Sequence, residues 1–261
     1  MDKHTCRNCD NHFSGDYCNR CGQKMAHRIT MGHLFHDITH AFTHADKGFF
    51  HLMLGLFKAP GNVAREYIIE EKRKRYFMPF QYLLIIGTIA TFVVVNSHFM
   101  ENAMKIMAMT DPANTKQTAM MQQISYLQSK YYNIMILLQL PFMSLATFWV
   151  YRKYKLNYAE HLTLHTFITA QTTLISMILM LFLFITGTDF NVIRFFSITI
   201  SVISISYHIG VYMQFFQQRS VGGFFRGLSS YIIGILLFFI STVIVTIIIG
   251  FIYAMIKKAG H

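Results

Sequence analysis

The chain has two textures. Up to about residue 79 it mixes polar, basic and apolar positions at short intervals; from residue 80 long apolar runs dominate. A bilayer crossing takes about 20 predominantly apolar residues. Five runs approach or exceed that length: 80–98, 134–151, 162–186, 192–216 and 229–256. The pattern predicts an all-α polytopic membrane protein with about five transmembrane helices. Pro141 falls inside the second run, where it removes a backbone hydrogen bond and predicts a kink. Gly222-Gly223, between the last two runs, suits a tight turn.

Ahead of the spans, residues 31–56 are amphipathic. Leu34, Phe35, Ile38, Phe42, Phe49, Phe50, Leu52, Met53 and Leu56 supply apolar surface, interrupted by His33, His36, Asp37, His40, His44 and Asp46. Such a stretch reads as one or two helices lying in the membrane interface. Pro60-Gly61 breaks the pattern, a polar helix over 62–75 follows, and Pro79 suits the first turn of the first span. The expected organisation is a small unit over 1–23, linker and interfacial helices over 24–79, and a transmembrane domain over 80–261. The loop of about 30 residues between the first two spans exceeds a simple turn. Residues 115–130 suit a helix at the outer surface, and the loop an external docking face.

Composition sharpens this picture. Hydrophobic residues make up 53% and charged residues 13%, against roughly 25% charged in soluble domains. The polar, Cys- and His-rich start lacks the layout of a cleavable signal, so the first span is expected to act as its own insertion signal. Lys58, Arg65, Lys72, Arg73, Lys74 and Arg75 precede that span; Arg152, Lys153, Lys155, Arg219 and Arg226 fall on the same side. By the positive-inside rule the N-terminus is cytoplasmic, in a bacterial inner (plasma) membrane. Lys257 and Lys258 are a mild violation. The net charge of +11 then serves topology and anionic lipid headgroups, at about 1 kcal/mol per residue. Membrane lipids are the expected partners, and nucleic acid is disfavoured because basic and aromatic positions do not interleave.

All four cysteines lie in the first 21 residues, as Cys6-x-x-Cys9 and Cys18-x-x-Cys21. Two facing pairs complete a tetrahedron of thiolates, the closed form of structural zinc sites. The eight-residue gap between pairs is shorter than the usual range of about 15–20 and suits a very small zinc ribbon of two tight turns. Two disulfides or an iron site are the alternatives; disulfides conflict with a cytoplasmic N-terminus. Structural Zn2+ bound by Cys6, Cys9, Cys18 and Cys21 is the expected cofactor, folding a peptide that has no core of its own.

Two histidine groups are candidates for further chemistry. His33, His36, His40 and His44 share one helical face, through which they could hold a metal or sense protons, or merely form the polar side of an interfacial helix. Glu160, His161, His165 and His208 fall at the inner ends of the third and fourth spans and could form an intramembrane polar pocket. Interhelical hydrogen bonds that fix packing are the plainer reading. No nucleophile elbow, phosphate-binding glycine loop or zincin motif is present, so an enzyme is not indicated and no catalytic residue is assigned.

Several segments together carry a family resemblance. They are Cys6 to Cys9, Phe13 to Gln23, His44 to Phe49 with Asp46 and Gly48, Pro60-Gly61, Arg65 to Tyr67, the Lys72 to Phe80 run and Glu160-His161. The chain resembles a bacterial integral-membrane family of unknown function with a zinc ribbon ahead of its spans. The resemblance is close over about 6–85 and looser to about 170. It implies an inner-membrane location and a cytosolic ribbon, and no activity. The function expected is a membrane-embedded adaptor or assembly subunit whose ribbon and interfacial helices contact a protein partner or a second copy. The alternative is a transporter, or a lipid- or ion-handling protein, using the Glu160/His161/His165/His208 pocket.

Overall fold

The computed structural model describes residues 4–25, 28–32, 48–99, 102, 126–187 and 189–259, with side chains described as far as 244. A two-stranded antiparallel hairpin opens the chain: β1 (His4–Thr5) pairs with β2 (His12–Phe13) in the register His4 to Phe13. Helices follow: α1 (Gly48–Lys58), α2 (Pro60–Ile68), α3 (Pro79–Ser97), α4 (Tyr132–Val150), α5 (Tyr158–Leu181), α6 (Leu183–Thr186), α7 (Phe190–Phe215) and α8 (Val221–Ala259). Five segments are long and apolar enough to cross a membrane: Pro79–Ser97, Tyr132–Val150, Tyr158–Thr186, Phe190–Phe215 and Val221–Ile244. The chain is an all-α polytopic membrane protein with a small N-terminal cysteine hairpin.

Local chemistry sets the helix boundaries. Pro60 and Pro79 occupy the first turns of α2 and α3, where a missing N–H costs nothing. Asn157 caps α5 in a reciprocal box with Glu160: each side chain accepts the other residue's backbone N–H. Gln217 ends α7 with a φ of 53°. The tight turn falls there, so Gly222 and Gly223 lie inside α8, which starts at Val221 rather than 229. The bare Cα of Gly223 permits the approach of Gln218: an added Cβ would lie 2.5 Å from its carbonyl oxygen. Helix α2 stops at Ile68, short of the expected 75, and the chain turns at Glu71 with a φ of 57°. Helix α4 continues through Pro141.

Helix α5 is the hub. Helices α1, α2, α3, α4 and α7 pack on it, while α8 lies outside against α4 and α7. The main core unites Leu52 and Leu56 of α1, Ala64 of α2, Leu83 of α3, Leu140 of α4, Phe167 of α5 and Phe215 of α7. A second cluster, with Val93, Val94, Met180, Ile193 and Phe196, fills the other end of the bundle. The start of α3, the ends of α4 and α7 and the starts of α5 and α8 share one end. There the Tyr151 and Phe216 rings stack at 3.8 Å.

The described part of the amphipathic stretch, α1, lies against this end. Leu52 and Leu56 face the protein, while Phe50, Leu54 and Phe57 stay exposed. Tyr207 of α7 donates its hydroxyl to Leu56 O at 2.9 Å. Helix α2 is more buried than its polar sequence suggests, because it wedges against α7. Gly61 N donates to Gln214 Oε1 at 3.0 Å, and a Cβ on Gly61 would meet Gln214 Cβ at 2.3 Å. Arg65 and Tyr154 donate to the carbonyls of Phe215 and Phe216, satisfying acceptors that the end of α7 leaves open.

Candidate metal centre and buried histidine layer

Each Cys-x-x-Cys forms one tight knuckle, and the two share one design. Cys6 N donates to Asn11 O and Asp10 N to Cys6 O; Cys18 N donates to Gln23 O and Gly22 N to Cys18 O, all at 2.8–2.9 Å. Asp10 (φ 55°) and Gly22 (φ 70°) make the same left-handed step after the second cysteine of each pair. The four sulfurs converge within 4.8 Å of one another, with Cys6–Cys21 at 3.5 Å and Cys9–Cys18 at 3.7 Å. A tetrahedral ion with metal–sulfur bonds of about 2.3 Å separates its sulfurs by about 3.8 Å, so the cluster fits a metal ion.

The electrostatics point the same way. Burial pushes the Cys18 thiol up, but the N–H groups of Cys21 and Arg20, the Asn11 amide and Cys9 outweigh it and bring it down to about 6. Cys9 moves to about 12: the Asn11 N–H favours its thiolate, yet burial and three neighbouring sulfurs prevail. Four sulfurs this close cannot all ionise without a cation among them. Among the described residues the apolar cluster of the hairpin is just Cys6, Phe13 and Cys18, so it has almost no core to hold its shape otherwise.

Among the described residues, the hairpin and the segment after it are fastened to the helices through Gln23, Arg28 and Ile29, with Arg7 Nε 3.8 Å from the Glu71 carboxylate as a looser ion pair. The buried Gln23 side chain donates to Glu71 O at 3.1 Å and accepts from Lys74 N at 3.3 Å, gripping the basic turn before α3. Arg28 forms a two-pronged pair with Glu160, at 2.7 and 2.9 Å, and also donates to Lys155 O. Ile29 is buried in the main core, and Asn157 Nδ2 donates to its carbonyl at 2.8 Å. Burial alone would pull the Arg28 guanidinium down; the Glu160 hydrogen bond and charge raise it.

Glu160 is therefore occupied by Arg28 and by the cap of α5. The three histidines do come together. Thr147 Oγ1 lies 3.1 Å from both His161 Nδ1 and His165 Nε2. A hydroxyl has one proton and this one also lies 3.0 Å from Ser144 O, so at least one imidazole donates to it. The His165 and His208 rings are 6.4 Å apart, with Tyr212 at 5.8 and 6.2 Å from them. His208 Nδ1 lies 2.7 Å from Ser204 O. His161 Nε2, His165 Nδ1 and the Tyr212 hydroxyl are buried without a hydrogen-bond partner among the described residues. Among the described residues the four cysteines are the group of His, Cys, Asp or Glu side chains whose ligand atoms converge as a metal site would require. His33, His36, His40 and His44 lie outside the described residues, as does most of 115–130.

Arg28, Thr147 and Tyr212 escaped the sequence reading, because nothing local links them to their partners. The Asn157-x-x-Glu160 capping box was spelled out in the sequence and would have tied Glu160 to a helix start. Residues 46–91 match the model of a family described as a protein of unknown function (DUF3667). That stretch covers α1, α2, the basic turn and the first part of α3, and includes none of the cysteines or clustered histidines. No curated protein and no solved structure matches the chain.

Proposed function

We propose that the protein is a membrane-embedded adaptor or assembly subunit. Its cysteine hairpin holds a structural zinc ion on the cytoplasmic side of a bacterial inner membrane and, with α1 and α2, offers a fixed docking face to a protein partner. The fastening of the hairpin through Gln23, Arg28 and Ile29 carries this reading. A closed four-thiolate site has no open position for chemistry. Anchored in this way, its value lies in the surface it presents, where Tyr17 and Arg20 are exposed. A photo-crosslinking side chain at Tyr17, in native membranes, should give a discrete protein adduct that vanishes with Cys18→Ser. An adduct that survives loss of the metal, or no adduct at all, would sink the adaptor reading.

A second reading, a transporter or an ion- or lipid-handling protein, has one observation in its favour: the orphaned polar atoms of the histidine layer. It loses the carboxylate it relied on, since Glu160 serves Arg28 and the α5 cap.

A further inference from the structure

The basic end of the bundle carries a charge imbalance that the adaptor reading does not use. Beyond Asp111 the sequence holds only two acidic residues, Glu160 and Asp189. Glu160 is taken by Arg28, and Asp189 lies at the start of α7, at the opposite end. Yet Arg152, Lys153, Lys155, Arg219 and Arg226 all lie exposed at the basic end. Among the described residues, no ion pair involves any of the five.

Two of these cations connect to one tyrosine, Lys153 directly and Arg226 through Gln218. Lys153 Nζ sits 5.0 Å above the Tyr154 ring. Gln218 Nε2 donates to the Tyr154 hydroxyl, and Gln218 Oε1 accepts from Arg226 at 2.9 Å. The hydroxyl in turn donates to Phe216 O at 3.0 Å, pinning the group to the end of α7. The loop after α4 and the second turn of α8 thus present a lysine and an arginine from a shared, hydrogen-bonded base.

The surroundings identify the medium. Trp149, the only tryptophan in the sequence, is 53% exposed one turn before Arg152; Val221, Phe224 and Phe225 are exposed beside Arg226. Half-polar aromatics and cations at the end of a spanning helix mark the headgroup level of a bilayer. Arg226 lies inside the fifth candidate span, where a cation needs an anion or water at the interface. An acidic protein would leave the exposed Phe225 and Val221 facing water; a lipid covers both parts at once.

We infer that Lys153 and Arg226, braced by Tyr154 and Gln218, form a binding site for the phosphate of an anionic phospholipid, whose chains run along exposed α4 and α8.

The test uses the full-length, metal-loaded protein in detergent. Native mass spectrometry reads retention of phosphatidylglycerol against phosphatidylcholine of the same chain length, with inorganic phosphate as a competitor. Wild type should prefer phosphatidylglycerol. The preference should fall about fivefold for Lys153→Gln or Arg226→Gln and about 30-fold for the pair, with unchanged metal content and elution volume. Lys24→Gln with Lys74→Gln, which removes the same charge elsewhere on the basic face, should leave it unchanged. Equal retention of the two lipids by wild type overturns the site and leaves the cations to an acidic protein. So does an equal loss in the Lys24/Lys74 control, which would reduce the effect to overall charge. Displacement by millimolar inorganic phosphate would make it a site for free phosphate and overturn the lipid assignment.

Discussion

Glu160 accepts from three donors with two oxygens: Arg28 Nε, an Arg28 terminal nitrogen and the Asn157 N–H. The carboxylate is nearly buried, whereas the arginine side chain is 55% exposed. The full penalty for breaking a buried pair therefore does not apply, and the loss resembles that of charged hydrogen bonds. Glu160→Gln should cost about 2 kcal/mol, seen as a lower melting temperature in detergent. Arg28→Ala should cost about as much. The double variant should be little worse than either single one, because both remove one interaction; additive losses would mean the two residues act separately. The histidines illustrate what sequence can see at this scale. Their grouping on neighbouring spans was legible, since polar residues in apolar helices face inward. Their bridge through Thr147 was not, because a lone threonine in a span is as often bonded to its own helix, as Thr163 and Thr166 are.

At the scale of elements, the five apolar runs fall on α3, α4, α5 with α6, α7 and α8, and the start of α8 lies at Val221 rather than 229. That start was missed because the glycine pair suggested a turn, while the turn is made by Gln217 to Ser220 and Ser220 Oγ accepts the Gly223 N–H. Helix α2 was harder still. Its sequence reads as a polar helix, but Pro60, Gly61, Val63, Ala64, Tyr67 and Ile68 are buried. The small face at Gly61 admits α7, a close approach that no periodicity announces. Gly61→Ala should therefore push α2 from α7, costing about 1–3 kcal/mol by overpacking. Gly222→Ala is the comparison: its added Cβ would meet nothing nearer than Ser220 Oγ at 3.8 Å. Thermal unfolding of the two variants decides the point; equal stabilities would mean α2 is not wedged.

For the whole molecule, the structure gathers the cysteine hairpin, the basic turn, the 152–155 loop and the start of α8 at one end, and Asp189 at the other. A membrane-impermeant thiol reagent on intact cells should therefore treat Lys153→Cys and Ser220→Cys alike and Asp189→Cys oppositely, with labelled peptides read by mass spectrometry. Labelling of Ser220→Cys and Asp189→Cys from the same side would contradict the arrangement of the spans. The Arg28–Glu160 pair also imposes an order on synthesis. Its partners are 132 positions apart in the chain, which at ribosomal rates of about 5–20 residues per second is a delay on the order of ten seconds. The hairpin can grip the basic turn through Gln23 once residues 71–74 have emerged, but the Arg28 clamp stays open until the third span begins to appear. During that interval a finished module waits beside an unfinished membrane domain, open to whatever escorts the nascent chain.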